Sequence, residues 1–295
     1  MLPIVSTWFQ DSDSTFAWLI DLGSHWQWLF WWGLVISVLF LTWQERRWAA
    51  FFLMLPLPWF TASIAVPRQE QGEVSFSILS ANVYFENRDV RPLQAWLLQE
   101  RPDAAVLLEI TSDYAAGLKS LVDYPYQHIV AEQEPFGLAL ISRYPLLETH
   151  TIRDSEGIAH IESQVQLPGQ PIGLMAFHTM PPLSQHYHQI RNDQLRILAR
   201  HAQMSAFPTL IAGDINATPW SSAFSLVDRY GLRRATGLAP SWPSIGHGLF
   251  GIPIDHVIAT PHWRVISEKL GPNIGSDHYP ILVRLGLVNP LPGKN

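Results

Sequence analysis

Eight side chains suited to holding a cation or a phosphate end or interrupt short apolar runs in this chain. They are Asn82 in "LSANV", Glu109 in "VLLEI", His178 in "FHTMPP", Asp214 and Asn216 in "GDINATPW", Asp255 in "PIDHV", and Asp277 and His278 in "GSDHYP". A carboxylate inside a run such as "AVLLEI" costs several kcal/mol if it is buried unpaired, so Glu109 needs a cation or a donor. Carboxylate and amide oxygens in a chain without cysteine suit Mg²⁺ or Mn²⁺ better than zinc. The histidines add groups that exchange protons near neutral pH. Thiolate chemistry is excluded, and no G-x-S-x-G elbow supports a serine esterase. The pattern calls for one rim carrying acids, an amide donor and an imidazole around a cation.

Rigid elements must carry these groups to that rim. Short β-rich runs recur at 75–83, 104–110, 137–145, 159–167, 172–179, 208–215, 254–260 and 278–288. Helical patterns fall at 88–100, 112–122 and 184–204. Many strands with few helices predict packed sheets covered by helices, not a simple alternating βαβ fold. Residues 68–295 fit one domain. With 17 basic against 21 acidic residues, this part is mildly acidic and offers no obvious basic surface for tight nucleic-acid binding.

The first fifth of the chain is different. Nine of the 13 tryptophans precede residue 60, and no charged residue lies between Asp21 and Glu45. Two transmembrane helices are predicted, about 26–43 and 48–66, the second interrupted by Pro56 and Pro58. Residues 1–67 then form a membrane anchor and 68–295 a catalytic domain. Arg46 and Arg47 in the connecting loop, against acidic residues before it, predict a cytoplasmic loop. The expected location is the cytoplasmic (inner) membrane, with the domain on the periplasmic side. The acidic first 25 residues do not suit a cleaved signal peptide.

In kind and order, "NV", "LLEI", "ALISRYP", "GDINATP", "IDHV" and "SDHYPI" resemble the endonuclease/exonuclease/phosphatase superfamily over about residues 75–288. The anchor ahead of them resembles a bacterial membrane-bound subgroup. The resemblance implies a four-layer α/β/β/α sandwich, two packed mixed sheets flanked by helices, and a metal-dependent hydrolase acting on phosphate esters. It implies Glu109, Asn82 and Asp277 as metal ligands. His278 contacts the phosphate or takes the water's proton, with Asp255 fixing its tautomer, and Asp214 orients or deprotonates the water. Asn216 and His178, with Asn82, bind the phosphate, and His178 is also a candidate to protonate the leaving group. The expected substrate is a nucleic acid, a nucleotide or a phospholipid headgroup, with no obligate protein partner. The competing readings are a catalytically silent binding module on a membrane anchor and a sphingomyelinase-like lipid-phosphate hydrolase.

Other polar and aromatic residues have plainer readings. Asp214 has an alternative as a helix cap, a role that Ser221 fills better. Arg143 either steers phosphate or supports a strand end. Arg191, beside His186 and His188 on the 184–204 helix, reads as a surface group. Trp220 and Trp242 either border the substrate cleft or pack in the core or rim, packing being the safer reading, and His247 has no assigned role.

Overall fold

A computed structural model of the chain describes residues 2–9, 12–57 and 66–288. Strands form where side chains alternate between two apolar environments. In β1 (Phe76–Asn82), Phe76 and Ile78 enter one cluster and Leu79 and Ala81 another, as a pleat of period two requires. β1 pairs in parallel with β2 (Ala104–Leu108). Antiparallel neighbours β4 (Leu138–Ser142), β3 (Tyr126–Val130), β12 (Ile281–Leu287) and β11 (Trp263–Leu270) complete a six-stranded sheet of order β11-β12-β1-β2-β4-β3.

The second sheet has the same plan. Its central strands β7 (Pro171–His178) and β8 (Thr209–Asp214) are parallel. β5 (Leu146–Arg153), β6 (Ala159–Gln166), β10 (Asp255–Ala259) and the two-residue β9 (Arg233–Arg234) join them antiparallel, in the order β5-β6-β7-β8-β10-β9.

The sheets pack face to face over a core that includes Ile78, Val106 and Leu140 from the first and Ile161, Leu174, Leu210 and Val257 from the second. Outside the first sheet, helices Arg91–Glu100 and Ser112–Leu118 bury Leu93, Trp96, Tyr114 and Leu118. Outside the second, Gln185–Met204 and Ala223–Arg229 bury Leu195, Leu198, Phe224 and Val227. This is the expected arrangement of two packed mixed sheets flanked by helices.

The N-terminal segment holds three helices, α1 (Leu2–Trp8), α2 (Thr15–His25) and α3 (Gln27–Gln44). The first predicted span coincides with α3, whose Leu29, Phe30, Trp32, Ile36, Leu39, Phe40 and Trp43 are exposed. No single described helix is long and apolar enough to cross a membrane, because end glutamines and four tryptophans lower the mean hydropathy of α3. Taken together α2 and α3 would suffice by length and composition, but they meet at a bend of 69°. The second predicted span begins in a 3₁₀ helix, Arg46–Met54, and its residues 58–65 lie outside the described residues.

α2 is fastened to the catalytic part. Asp21, 1% exposed, accepts from Ser6 Oγ (2.8 Å), Ser222 N (2.8 Å), the hydroxyls of Ser221 and Ser222, and Arg191 Nη2 (2.7 Å). Arg191 is therefore not the surface group its flanking histidines suggested; it is fully buried. Its helix runs a buried stripe through Arg191, Leu195, Leu198 and Ala202, and position 191 continues that stripe. Burial alone would push the Asp21 carboxyl up, but Arg191 and His188 outweigh burial and hold it well below the usual carboxylate range.

A carboxylate with a depressed folded pKa stabilises the fold above its unfolded pKa of about 3.9, and that contribution fades as pH falls toward the folded value. Protection factors for hydrogen exchange in α2 of the full chain, taken against the intrinsic rate at each pH, are expected to fall below about pH 4. Asp21→Ala, which leaves Arg191 uncompensated, is expected to cost about 3–5 kcal/mol at neutral pH. Denaturant unfolding and exchange measured against pH check both.

Candidate functional site

Strand register assembles one side of the site. His178 lies opposite Asp214 in the parallel pair β7–β8, and Asp214 lies opposite Asp255 in the antiparallel pair β8–β10. One cross-sheet row therefore carries all three. On the facing sheet β1 ends at Asn82 opposite Leu108, and Glu109 follows directly. The 276–278 turn closes the rim: Ser276 Oγ donates to the Asn82 carbonyl (2.8 Å) and accepts from His278 N (3.0 Å).

Two of these residues hold left-handed backbone conformations, Glu109 at φ 63° and Asn216 at φ 50°. Such conformations cost about 1–3 kcal/mol each away from glycine and persist only where surrounding bonds enforce them. Glu109 accepts from Asn82 Nδ2 (2.8 Å) and from Phe85 N (2.9 Å). Asn216 N donates to Asp214 Oδ1 (2.8 Å), and its side-chain amide donates to the Thr179 carbonyl (2.9 Å). The glycine before Asp214 is also required. A Cβ on Gly213, at φ 153°, would stand 1.8 Å from the Phe177 carbonyl oxygen.

Six of the eight sequence-selected residues line a single cavity of about 460 Å³: Glu109, His178, Asp214, Asn216, Asp277 and His278. The other two support them from behind. Asn82 bonds to Glu109, and Asp255 Oδ2 accepts from His278 Nδ1 (2.8 Å). His278 Nε2 then lies 3.8 Å from Asp214 Oδ2 and 3.5 Å from Asn82 Nδ2, while His178 Nε2 lies 3.6 Å from Asp214 Oδ2.

The charges act on one another strongly. Burial pushes Asp214 well above the carboxylate range, and neighbouring Asp255 adds to this. Burial also raises Glu109. His278 is pushed up to about 10, because Asp255 and Asp214 outweigh the burial that would lower it. Burial, assisted by the His278 charge, lowers His178 to about 4. No lysine or arginine lines the cavity among the described residues.

This donor set fits a divalent cation. Glu109 and Asp277 are half-buried carboxylates without a basic partner in the cavity, and Asn82 adjoins Glu109. Ligand atoms of Asp214, Asp255 and His278 also converge within 4.8 Å of one another, but the His278–Asp255 bond already accounts for that contact.

The plainer alternatives resolve as follows. Asp214 caps no helix: Ser222 precedes the helix at 223–229, and Ser221 Oγ accepts from Ala223 N. Arg143 follows β4 at the end of the sheet remote from Glu109, 3.8 Å from Asp103, and supports that strand end. Trp220 is buried as packing, whereas Trp242 lines the cavity and donates from Nε1 to Asp277 Oδ2 (3.0 Å). Sequence reasoning missed that contact and the Phe85 amide, for which the sequence carries no signal.

Residues 79–278 match the family model described as Endonuclease/Exonuclease/phosphatase family. Three solved structures share the fold. A humanized D. rerio TDP2 carrying 14 mutations aligns at TM-score 0.60 and 19% identity, over 72% of this chain and 98% of that one. An endonuclease/exonuclease/phosphatase from Beutenbergia cavernae aligns at 0.60 and 20%, over 73% and 72%. The 3′ phosphatase NExo from Neisseria, bound to a product DNA hairpin, aligns at 0.58 and 17%, over 72% and 99%. Among curated proteins, none matches the sequence. With the family match covering more than half its length, and with the fold and the rim of acids and imidazoles in place, the chain belongs to the endonuclease/exonuclease/phosphatase family.

Proposed function

We propose that this protein is a divalent-metal-dependent phosphoesterase, tethered to a membrane by its N-terminal segment, that cleaves phosphate mono- or diesters by in-line attack of water. One observation carries the reading. Glu109, Asp214 and Asp277 share a cavity with His178 and His278, and among the described residues no lysine or arginine there balances them. Glu109, Asn82 and Asp277 would hold Mg²⁺ or Mn²⁺. When bound, the ion supplies positive charge for the phosphoryl oxygens and the leaving group.

The chain's own groups do the rest. Asp255 accepts from His278 Nδ1–H and orients the ring, and with the imidazole protonated at pH 7 its Nε2–H is left to donate to the phosphate. Asp214, bonded through Oδ1 to Asn216 N, keeps Oδ2 to orient or deprotonate the water. Asn216 gives one amide N–H to Thr179, and its second N–H is the donor proposed for the phosphate. His178, neutral at pH 7, contacts the phosphate, and protonating the leaving oxygen would need the cationic ring that burial there disfavours.

The substrate is a nucleic acid, a nucleotide or a phospholipid headgroup. The DNA bound by the Neisseria structure supports the first, while the acidic domain disfavours tight duplex binding. A silent module would lose the metal carboxylate, the catalytic imidazole or the Asp-Asn pair, and all are present here. The exposed apolar side chains of α3 support the tether, and Arg46 and Arg47 after it support a cytoplasmic loop with the catalytic face outside.

Hydrolysis of bis(4-nitrophenyl) phosphate by the full chain is expected to stop with a chelator and return with Mg²⁺ or Mn²⁺. His278→Ala is expected to lower kcat by about 10²–10⁴-fold, and Glu109→Gln to abolish metal-restored activity. Hydrolysis that persists through chelation and both substitutions would overturn the mechanism. An alkaline-phosphatase fusion at the C-terminus is expected to be active in a bacterial host, since that reporter works only when exported; an inactive fusion would reverse the orientation.

A further inference from the structure

The cavity has two chemically different sides. One is the cluster of acids and imidazoles. The other includes Leu22 and His25 of α2 and Trp26 at its C-terminal end, together with Pro182, Leu183 and Ile252. Leu22, His25 and Trp26 lie outside residues 79–278, so this part of the wall is outside the region that matches the family.

The wall is built in, not merely leaning on the domain. Asp21 ties it to Arg191, Ser221 and Ser222, and Arg191 Nη1 donates to the Asn216 carbonyl (3.3 Å). Trp18 Nε1 donates to the Pro182 carbonyl (2.8 Å), and the ring of Trp26 meets Trp242 edge-on at 6.5 Å.

His25 gives a second pointer to a ligand. His25 Nδ1 lies 2.8 Å from the Thr218 hydroxyl and 3.3 Å from Thr218 N, and with its lone pair presented it accepts from both. Burial lowers His25 to about 4, which leaves the ring neutral with its proton on Nε2. That Nε2–H is buried without a protein partner, in a side chain that lines the cavity. Buried donors without partners are uncommon and mark places where something else is bound.

Building on the proposed phosphoesterase activity, we infer that α2 is a specificity wall of the active site: Leu22 and Trp26 receive an apolar substituent of a phosphodiester, and His25 Nε2 donates to one of its oxygens. The ligand class is an alkyl phosphodiester, polar at the reacting phosphorus and apolar on its other ester arm. A cavity of about 460 Å³ is in the range of small-ligand sites and has room for both parts. Each methylene moved from water onto such a wall is worth roughly fourfold in binding.

The test compares methyl 4-nitrophenyl phosphate with butyl 4-nitrophenyl phosphate on the full chain in lipid nanodiscs. The two share a reacting phosphorus and a leaving group, and a butyl arm is short enough to stay in water. The butyl ester is expected to have a kcat/KM at least about tenfold higher, expressed in KM. Leu22→Ser is expected to bring that ratio toward one, Leu22→Met to keep it, and His25→Phe to raise KM for both esters. Calorimetric binding of dibutyl and dimethyl phosphate gives a readout independent of turnover. If neither ester is hydrolysed but dibutyl phosphate binds more tightly in a Leu22-dependent way, the activity falls and the wall stands. If both esters are hydrolysed with equal kcat/KM, or Leu22→Ser leaves the preference intact, the wall is overturned.

Discussion

The constraint on which this structure depends is negative charge gathered where, among the described residues, no lysine or arginine answers it. Glu109, Asp214 and Asp277 surround one cavity, with Asp255 immediately behind His278. Burial pushes Asp214 and Glu109 upward, and the neighbouring carboxylates Asp255 and Asp277 add to that push. The fold relieves part of it through His278, whose proton is held by the two carboxylates it adjoins. The remainder is relieved by what the site is built to receive. A site of this kind does its electrostatic work before substrate arrives, because its dipoles and charges are fixed in advance.

Fixing them is the task of the two sheets. A row such as His178–Asp214–Asp255 cannot drift, because a slip of one residue would turn every side chain on the strand to the other face and empty the inter-sheet core. The parallel pairs β1–β2 and β7–β8 end at the same rim, and β12, antiparallel to β1, starts there, which is why residues nearly 200 positions apart, Asn82 and His278, come within 3.5 Å. Beyond the strand ends, register no longer acts. There the chain uses local devices: the left-handed turns at Glu109 and Asn216, and the close passage of Gly213 over Phe177.

How much of this is legible in the sequence follows from the same physics. The eight apolar runs correspond to β1, β2, β4, β6, β7, β8, β10 and β12, every one interior to a sheet. The four strands without a sequence signal, β3, β5, β9 and β11, are the four sheet edges. An edge strand is half solvated and needs no apolar run; β5 reads "LLETHTIR" and is largely exposed. The site residues were legible because chemistry requires particular residue types at strand ends. Their supports, the Phe85 amide and the Trp242 indole, were not, since any residue supplies an amide and most tryptophans only pack. Arg191 lies between these cases. Its charge suggested the surface, while its position on the 191–195–198–202 stripe pointed inward, and the stripe decided.

Arg191 also changes where the functional unit begins. A boundary at residue 68 follows the change in composition, yet Asp21 completes a hydrogen-bond network whose other members, Arg191, Ser221 and Ser222, all lie in the catalytic part. A chain cut after the N-terminal helices would retain Arg191 inside the fold without its carboxylate. A lone buried charge is far more costly than a buried pair. The first structure to respond would be the Asn216 turn, because Arg191 holds the Asn216 carbonyl directly. The segment that carries the exposed apolar helix is thereby wired, through one carboxylate, to the loop proposed to grip the phosphate. The packing of α2 and order in the site become parts of one cooperative structure, which a flexible linker between the N-terminal helices and the enzyme could not provide.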